Sequence, residues 1–475
     1  MRILFASSEA YPLVKTGGLA DVSGSLPRAL QHRGHDVRLL LPAYRQVLAK
    51  APTPRPIATL KLGRHEVALL ESRLPGSKVK TWLLHCPALY DRPGDPYHDQ
   101  HHQPWPDNGE RFLTLCQAAA LLATDEAGLA WRPEILHCND WQTGLAPAML
   151  AGRQDRPGCL FTIHNLAYQG LFGFEHFLQT GLPPEYWSYE ALEFHGWFSY
   201  IKGGIVFADL VNTVSPTYAA EIQTPEFGCG LDGLLRHRRQ ALCGILNGID
   251  DHWNPGTDPH LARRYNSRDL DAKAQNKAAL QQELGLAQAP DLPLLGFIGR
   301  LAEQKGLDLL LAALPALLTR PLQLVMLGSG EPHYQQALKA IAREHPQHFR
   351  FEQGYDEALA HRIEAGADLF LMPSLFEPCG LNQLYSLRYG TLPLVHRVGG
   401  LADTVFEEGP EANGFCFTEA TPQALLAALD RALGRYRQAG HWRALQLKAM
   451  ARDSSWRQSA KHYEALYQAI LAGCR

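Results

Sequence analysis

The chain has 475 residues, 46% of them apolar and 20% charged, which describes a globular protein too long for one ordinary core and excludes a disordered one. Lys and Arg total 45 against 48 Asp and Glu, a net charge of -3, so nothing in the balance attracts nucleic acid or an anionic membrane. Nine cysteines, at positions 86, 116, 138, 159, 229, 243, 379, 416 and 474, form no CxxC pair, indicate neither a zinc ribbon nor a disulfide framework, and fit a reducing cytoplasm.

The segment Met1-Arg2-Ile3-Leu4-Phe5 is apolar for only a few residues before Ser7, Ser8 and Glu9, which predicts a first strand (Ile3 to Ala6) and not a signal peptide. No apolar run approaches the ~18 residues that span a bilayer. The richest, Leu307 to Leu318, is broken by Asp308 and Pro315, and Pro315 is expected to kink its helix. After the first strand, Lys15-Thr16-Gly17-Gly18 forms a loop, a helix is expected from about Leu19 to Arg33, and Asp36 to Pro42 is the next strand. This βαβ unit opens a doubly wound sheet. The loop lacks the GxGxxG pattern of nicotinamide binding. Its adjacent glycines either make a tight turn or let backbone amides approach a ligand beside Lys15.

From Cys86 to Phe112 little periodicity is visible, and a long loop is expected, with Tyr97, Trp105, Asp107 and Asn108 in it. His98, His101 and His102 invite a metal reading, but no carboxylate or thiolate motif supports it. An Ala- and Leu-rich helix, about Arg111 to Ala123, leads to Ile135-Leu136-His137-Cys138-Asn139-Asp140, a strand that ends in polar residues. Cys159 to Ile163 is another strand, with His164-Asn165 at its tip. Such tips are where open parallel sheets hold ligands, although a satisfied core histidine is the plainer account of His164 alone. Trp187, Tyr189, Trp197 and Tyr200 follow in a region expected to be helical, and their rings either pack a core or stack on sugars. Ala208 to Val214 is a strand capped by Ser215, and a domain boundary is expected near Leu246.

The second half repeats the pattern. Strands are expected at Leu294 to Ile298, Leu322 to Leu327, Phe349 to Gln353, Asp368 to Met372, Leu392 to His396 and Gly414 to Phe417, with Asp356 and Thr421 as helix N-caps. The first of these strands runs into Gly299-Arg300-Leu301-Ala302-Glu303-Gln304-Lys305-Gly306 and then a leucine-rich helix. Two cations thus stand where an anion would be held, or else are ordinary solvated loop charges. The triplet Asp269-Leu270-Asp271 matches a metal-binding DxD only superficially, because it lies in a polar connecting stretch. The last segment, Trp456 to Leu471, is amphipathic, with Ala460, Tyr463, Leu466, Tyr467 and Ile470 on one face.

Lys15 to Asp21 (KTGGLAD), Thr162 to Gly170 (TIHNLAYQG), Leu246 to Asp250 (LNGID), Gly299 to Gly306 (GRLAEQKG) and Phe376 to Gln383 (FEPCGLNQ) together resemble the family of bacterial glycogen synthases and plant starch synthases, in the family's order and over nearly the whole chain. KTGGL is specific to this group. The RxxxxK loop and the Glu-Pro-x-Gly segment are shared more widely among glycosyltransferases.

The resemblance implies an α/β fold of two facing Rossmann-like doubly wound domains, the GT-B type, with an interdomain cleft. Residues 1–245 would form the acceptor and catalytic domain, helix 456–475 would pack back on it, and residues 246–455 would bind the nucleotide sugar. It implies a retaining hexosyltransferase that moves glucose from ADP-glucose to the non-reducing end of an α-1,4-glucan such as glycogen or a maltooligosaccharide primer. No metal or cofactor, no nucleic acid and no membrane partner are implied.

Carried over by position, Arg300 and Lys305 clamp the donor phosphates and Glu377 is the essential acidic residue near the transferred sugar. His164 and Asp140 are sugar-site residues. Lys15, Gly18, Asp21, Asn247, Cys379, Gly380 and Leu381 contact ADP-glucose, and Tyr97, Asn165 and Tyr168 stand towards the sugar or acceptor. Because Lys15 and Arg300 belong to different halves, domain closure is implied. Asn139 departs from the family pattern, in which many members have His. The rivals are a retaining transferase with another donor, a nucleotide-sugar epimerase, against which KTGGL argues, and a non-catalytic glucan-binding protein.

Overall fold

The computed structural model describes residues 1–473. Contacts divide the chain into two units, Met1–Gly248 with Trp456–Arg475, and Ile249–Ser455.

The first unit contains strands β1 (Arg2–Ala6), β2 (Asp36–Pro42), β3 (Arg55–Leu62), β4 (His65–Arg73), β5 (Lys80–His85), β6 (Ile135–Asn139), β7 (Gly158–Ile163), β8 (Leu171–Phe172), β9 (Glu193–Phe194), β10 (Trp197–Ser199), β11 (Leu210–Thr213) and β12 (Leu242–Gly244). Nine of them form one sheet in the order β12-β11-β7-β6-β1-β2-β5-β4-β3. From β12 to β5 every neighbouring pair is parallel. The strands at its centre are apolar without alternation: β6 and β7 are buried along their whole length, as a sheet covered on both faces requires. The order reverses between β1 and β6, a switch point whose crevice opens at the carboxyl ends, at Ala6 and Asn139.

Three features differ from the sequence pattern. No element was expected between Pro42 and Cys86, yet β3 and β4 make an antiparallel hairpin that extends the sheet edge beside β5. Their half-solvated faces dilute the apolar signal. The region expected to be helical around Trp197 instead carries a small antiparallel sheet, β8-β10-β9. Tyr200 is buried, whereas Tyr189 and Trp197 expose 77% and 52% of their surface, so the four rings do divide between core and surface. The long loop is shorter than expected: Pro87–Tyr90 is a helical turn and the following helix already begins at Asn108. What orders this loop is the buried Arg111, whose guanidinium donates to Leu89 O, Pro96 O and Asn108 Oδ1.

The helix Trp456–Gly473 belongs to the first unit. The Tyr467 hydroxyl meets His137 Nδ1 at 2.8 Å under the sheet, and Asn212 Nδ2 donates to the Tyr463 hydroxyl at 3.2 Å. Ile470 packs so closely on Gly158 that a Cβ there would approach it to 2.2 Å.

The second unit has six strands, β13 (Leu294–Ile298), β14 (Gln323–Gly328), β15 (Phe349–Gln353), β16 (Leu369–Met372), β17 (Leu392–His396) and β18 (Phe415–Phe417). They run parallel in the order β15-β14-β13-β16-β17-β18. This is the doubly wound order with its reversal between β13 and β16. Ser215, Asp356 and Thr421 cap their helices through Tyr218 N, Leu359 N and Ala424 N. The helix Leu307–Leu317 continues through Pro315, which lies near its end on the exposed side.

Tyr467→Phe tests the docking of the terminal helix. It leaves the buried His137 Nδ1 without its partner and should cost about 1 to 3 kcal/mol in urea unfolding of the intact chain. An unchanged midpoint would contradict the packing.

Candidate active site

Most of the sequence-derived candidates stand in segments that follow β13 and β16 in one sheet and β1, β6 and β7 in the other. In the second unit, β13 ends at Ile298 and the chain passes through Arg300 to a single tight turn, Glu303–Lys305. It then enters the helix Leu307–Leu317 through Gly306, whose φ of +70° is left-handed. A side chain at Gly306 would also meet Pro373 O at 2.0 Å, so glycine alone lets the loop after β13 close on the loop after β16. Backbone bonding seals this approach: Leu375 N donates to Gln304 O at 2.9 Å. The result is a cation from one loop against an anion from the other. Lys305 Nζ lies 2.6 Å from Glu377 Oε2, and Ser374 Oγ donates to the same oxygen at 2.9 Å. Glu377 is buried, while Lys305 keeps part of its surface in solvent. Arg300 is exposed and donates to Gln304 Oε1 at 3.2 Å.

Beyond Glu377 the chain turns through buried Cys379 and Gly380, at φ +72°, to Leu381, and the helix Asn382–Tyr389 begins. Its N-terminal amides and dipole favour an anion at this end. Asn382 Nδ2 donates to Ile298 O at 2.7 Å, which fixes the helix start beside the end of β13. Gly400, after β17, donates its N–H to Glu377 O at 3.0 Å and would clash with Cys379 O if it carried a Cβ. Ser374 and Gly400 were not among the sequence candidates. The Gly399-Gly400 pair after an apolar strand was the available signal.

In the first unit the organiser is Glu9, also missed. It stands three residues past the end of β1 and is buried; burial raises its pKa, partly opposed by hydrogen bonds from Thr16 and Tyr97. Its carboxylate accepts Thr16 N at 2.5 Å, Thr16 Oγ1 at 2.6 Å and Gly17 N at 3.3 Å, and so shapes the KTGG loop. The signal was a lone carboxylate at a strand tip, six residues before Lys15. Tyr97 gives its hydroxyl to Glu9 and contacts Ser8, so the structure uses it beneath the loop. Lys15 pairs with Asp21 at 2.8 Å, and Gly18 opens the helix Gly18–His32.

Asp140 follows β6 with φ +55°, a conformation that costs a non-glycine residue about 1 to 3 kcal/mol and that collects at functional sites. Its Oδ1 accepts His164 N at 2.7 Å and, at 3.4 Å, Asn165 N. Burial pushes the Asp140 carboxyl up to about 7, against these hydrogen bonds and with a contribution from the charge of Glu9. Burial lowers His164 to about 3, so its ring is neutral. Asn139 Nδ2 donates to Ala6 O, which turns Oδ1 towards His164 Nε2 at 3.0 Å and makes that nitrogen the protonated one. Asn139 therefore sets the tautomer of His164.

Asn165 turns its side chain to Ala167 N, and Tyr168 is 48% exposed. Asn247 is buried with Oδ1 making no hydrogen bond. Asp107 pairs with Arg92 at 2.6 Å and Asn108 donates to Tyr97 O, which engages both within the loop. His98 contacts Asp95 at 3.2 Å.

Residues 2–237 match the family described as "Starch synthase catalytic domain", and residues 284–443 match "Glycosyl transferases group 1". The chain is 57% identical over 473 residues to a glycogen synthase of Cellvibrio japonicus, covering 98% of each, and 55% identical to glycogen synthase 1 of Methylococcus capsulatus, covering 100% of this chain and 97% of that one. It belongs to the glycogen and starch synthase family. Members of this family are glycosyltransferases, and the two parallel-sheet units are those of the GT-B fold. The catalytic domain of starch synthase IV from Arabidopsis thaliana, solved with ADP and acarbose, superposes with a TM-score of 0.90 at 35% identity over 99% of both chains. Sucrose-phosphate synthase of Thermosynechococcus elongatus, at 18% identity and a TM-score of 0.61, shares the fold.

Within this synthase, Asp140 changes charge near neutrality and His164 does not. The folded pKa of Asp140 stands above its ordinary 3.8, so its stabilising contribution is full below pH 3.8 and is lost as pH rises through about 7. Relative to the parent, Asp140→Asn should therefore gain thermal stability steadily across that window, whereas His164→Asn should lose it as pH rises from about 3 to 6.5, because the folded pKa of His164 is lowered. A pH-independent difference for Asp140→Asn would contradict a raised pKa.

Proposed function

We propose that the protein is an ADP-glucose-dependent glycogen synthase, extending the non-reducing end of an α-1,4-glucan with retention at the anomeric carbon. The observation that carries this reading is the Lys305–Glu377 pair at the β13/β16 switch point, in a chain of this family. Departure of a nucleoside diphosphate from glucose leaves negative charge on the β-phosphate and oxocarbenium character on the sugar. Fixed cations aimed at the first and a carboxylate beside the second lower the barrier because they are in place before reaction. Lys305 carries three N–H groups, so its bond to Glu377 does not exhaust it, and Arg300 adds a second cation on the same loop. The amides from Cys379 to Asn382 offer further donors to phosphate.

Glu377 orients and stabilises the glucosyl group without bonding to it, and the departing phosphate takes the proton of the attacking acceptor hydroxyl. Supporting this, Lys305 and Ser374 already hold the carboxylate at one oxygen. In the first unit, neutral His164 and Asp140 bind sugar hydroxyls, and Lys15, Gly18, Asp21 and Asn247 contact the donor. Asn165 and Tyr168, with Tyr97 behind them, serve the sugar and acceptor side. Exposed Tyr189 and Trp197 present faces on which glucan rings can stack. The first unit is thus read as the acceptor and catalytic half and the second as the nucleotide-sugar half. Arg300 and Lys305 do for the leaving phosphate what a metal does elsewhere. A cytoplasmic setting is supported by cysteines scattered without a CxxC pair, and none of the described helices is long and apolar enough to cross a membrane.

The deciding assay follows nucleotide release and polymer growth from ADP-glucose and UDP-glucose in parallel, with glycogen as primer and no added metal. ADP release with α-amylase-sensitive extension is expected, and Arg300→Ala and Lys305→Ala should each lower kcat by about 10- to 100-fold. Growth only from UDP-glucose would overturn the donor, growth from neither would overturn the activity, and a glucosyl adduct on Glu377 in a trapped reaction would overturn its non-covalent role.

A further inference from the structure

Away from both stations, the second unit holds a cluster that the proposed chemistry does not use. His361 lies on the helix Glu357–Gly366 and is fully buried. Its Nδ1 is 2.7 Å from Asp258 Oδ2, a carboxylate equally buried, which also accepts the Tyr389 hydroxyl at 2.6 Å. With Nδ1–H donating to Asp258, the lone pair is on Nε2, and this buried nitrogen makes no hydrogen bond. One turn earlier on the same helix face stands Glu357. His252, from the turn after Asp250, lies with Nε2 at 3.0 Å from Glu357 Oε1, and its ring centre is 4.9 Å from that of His361. One ligand atom each from His252, Glu357 and His361 fall within 4.8 Å of one another. The His361 ring is held flat against Trp253, 3.7 Å between centres and 7° between planes, and Trp253 stacks in turn on Tyr385 at 4.0 Å.

We propose that His252, Glu357 and His361 form a binding site for a divalent transition-metal cation of the zinc class, with Asp258 orienting His361. Two imidazoles and a carboxylate are the ligand types such a cation prefers over calcium or magnesium. A carboxylate behind the buried ligand fixes its tautomer and ring orientation, as the second partner of a metal-bound histidine does. Tetrahedral bond lengths put ligand atoms roughly 3.3 Å apart, and the half-exposed His252 and Glu357 side chains can rotate to reach that spacing. The remaining coordination falls to water or to His260, whose ring centre is 5.0 Å from that of His361. The site is structural: it ties the first turn of the second unit, residues 250–258, to the helix Glu357–Gly366.

The test uses the intact protein, stripped with a chelator and titrated with Co²⁺ as a visible-absorption probe, then with Zn²⁺ in competition. One equivalent of Co²⁺ per chain with a tetrahedral-type band, displaced by Zn²⁺, and a thermal midpoint raised by Zn²⁺ are expected. His252→Ala and Glu357→Gln should each weaken uptake by about tenfold or more while glucosyl transfer is unchanged. The pair His101→Ala and His102→Ala should leave uptake intact. The absence of saturable uptake, as when His361 Nε2 meets only a buried water, would overturn the proposal. So would uptake that survives both His252→Ala and Glu357→Gln.

Discussion

The proposed site of this synthase depends on one ion pair, Lys305 with Glu377, formed where two neighbouring strands of a parallel sheet send their following segments to opposite faces. Burying a carboxylate costs several kcal/mol unless a charge and further hydrogen bonds meet it, and breaking such a pair from one side costs about 3 to 5 kcal/mol. Both conditions hold at Glu377, through Lys305 and Ser374. The pair therefore does structural and chemical work together. It fixes the loops after β13 and β16 against each other, and it keeps a cation and an anion side by side, the arrangement on which the proposed chemistry rests. The glycines follow from the same constraint, because Gly306 and Gly400 permit backbone approaches that any side chain would block.

The first unit obeys the same rule with different groups. Glu9 and Asp140 leave the adjacent strands β1 and β6 at that sheet's reversal, and each holds backbone N–H groups instead of a cation. Desolvation is less completely offset there, so both carboxyls have raised pKa values. Strain at Asp140 is retained where an acceptor must face His164 and Asn165. One physical pattern, polar groups at the carboxyl ends of strands beside a switch point, thus yields a paired cation and carboxylate in one sheet and buried carboxyls held by backbone N–H groups in the other.

Much of this was legible in the sequence because the strands that build the switch points are buried on both faces and read as plain apolar runs. Asp140 and His164 stand immediately after such runs, and Arg300 and Lys305 lie in the loop that follows another. The hairpin β3–β4 was not legible, since its strands alternate weakly at an exposed edge, nor was the small sheet around Trp197, whose strands have only two or three residues. Glu9, Ser374 and Gly400 escaped for another reason. Their importance lies in contacts with residues distant in the chain, such as Tyr97 for Glu9, and nothing in local spacing reports that.

The central claim, that Lys305 and Glu377 act as one unit, is tested most directly by a double-mutant cycle on kcat/KM with Lys305→Ala, Glu377→Gln and their combination. The double variant should fall about as far as the more damaging single variant, because either change already dismantles the pair. Losses that simply multiply would show two residues acting independently and would contradict this account.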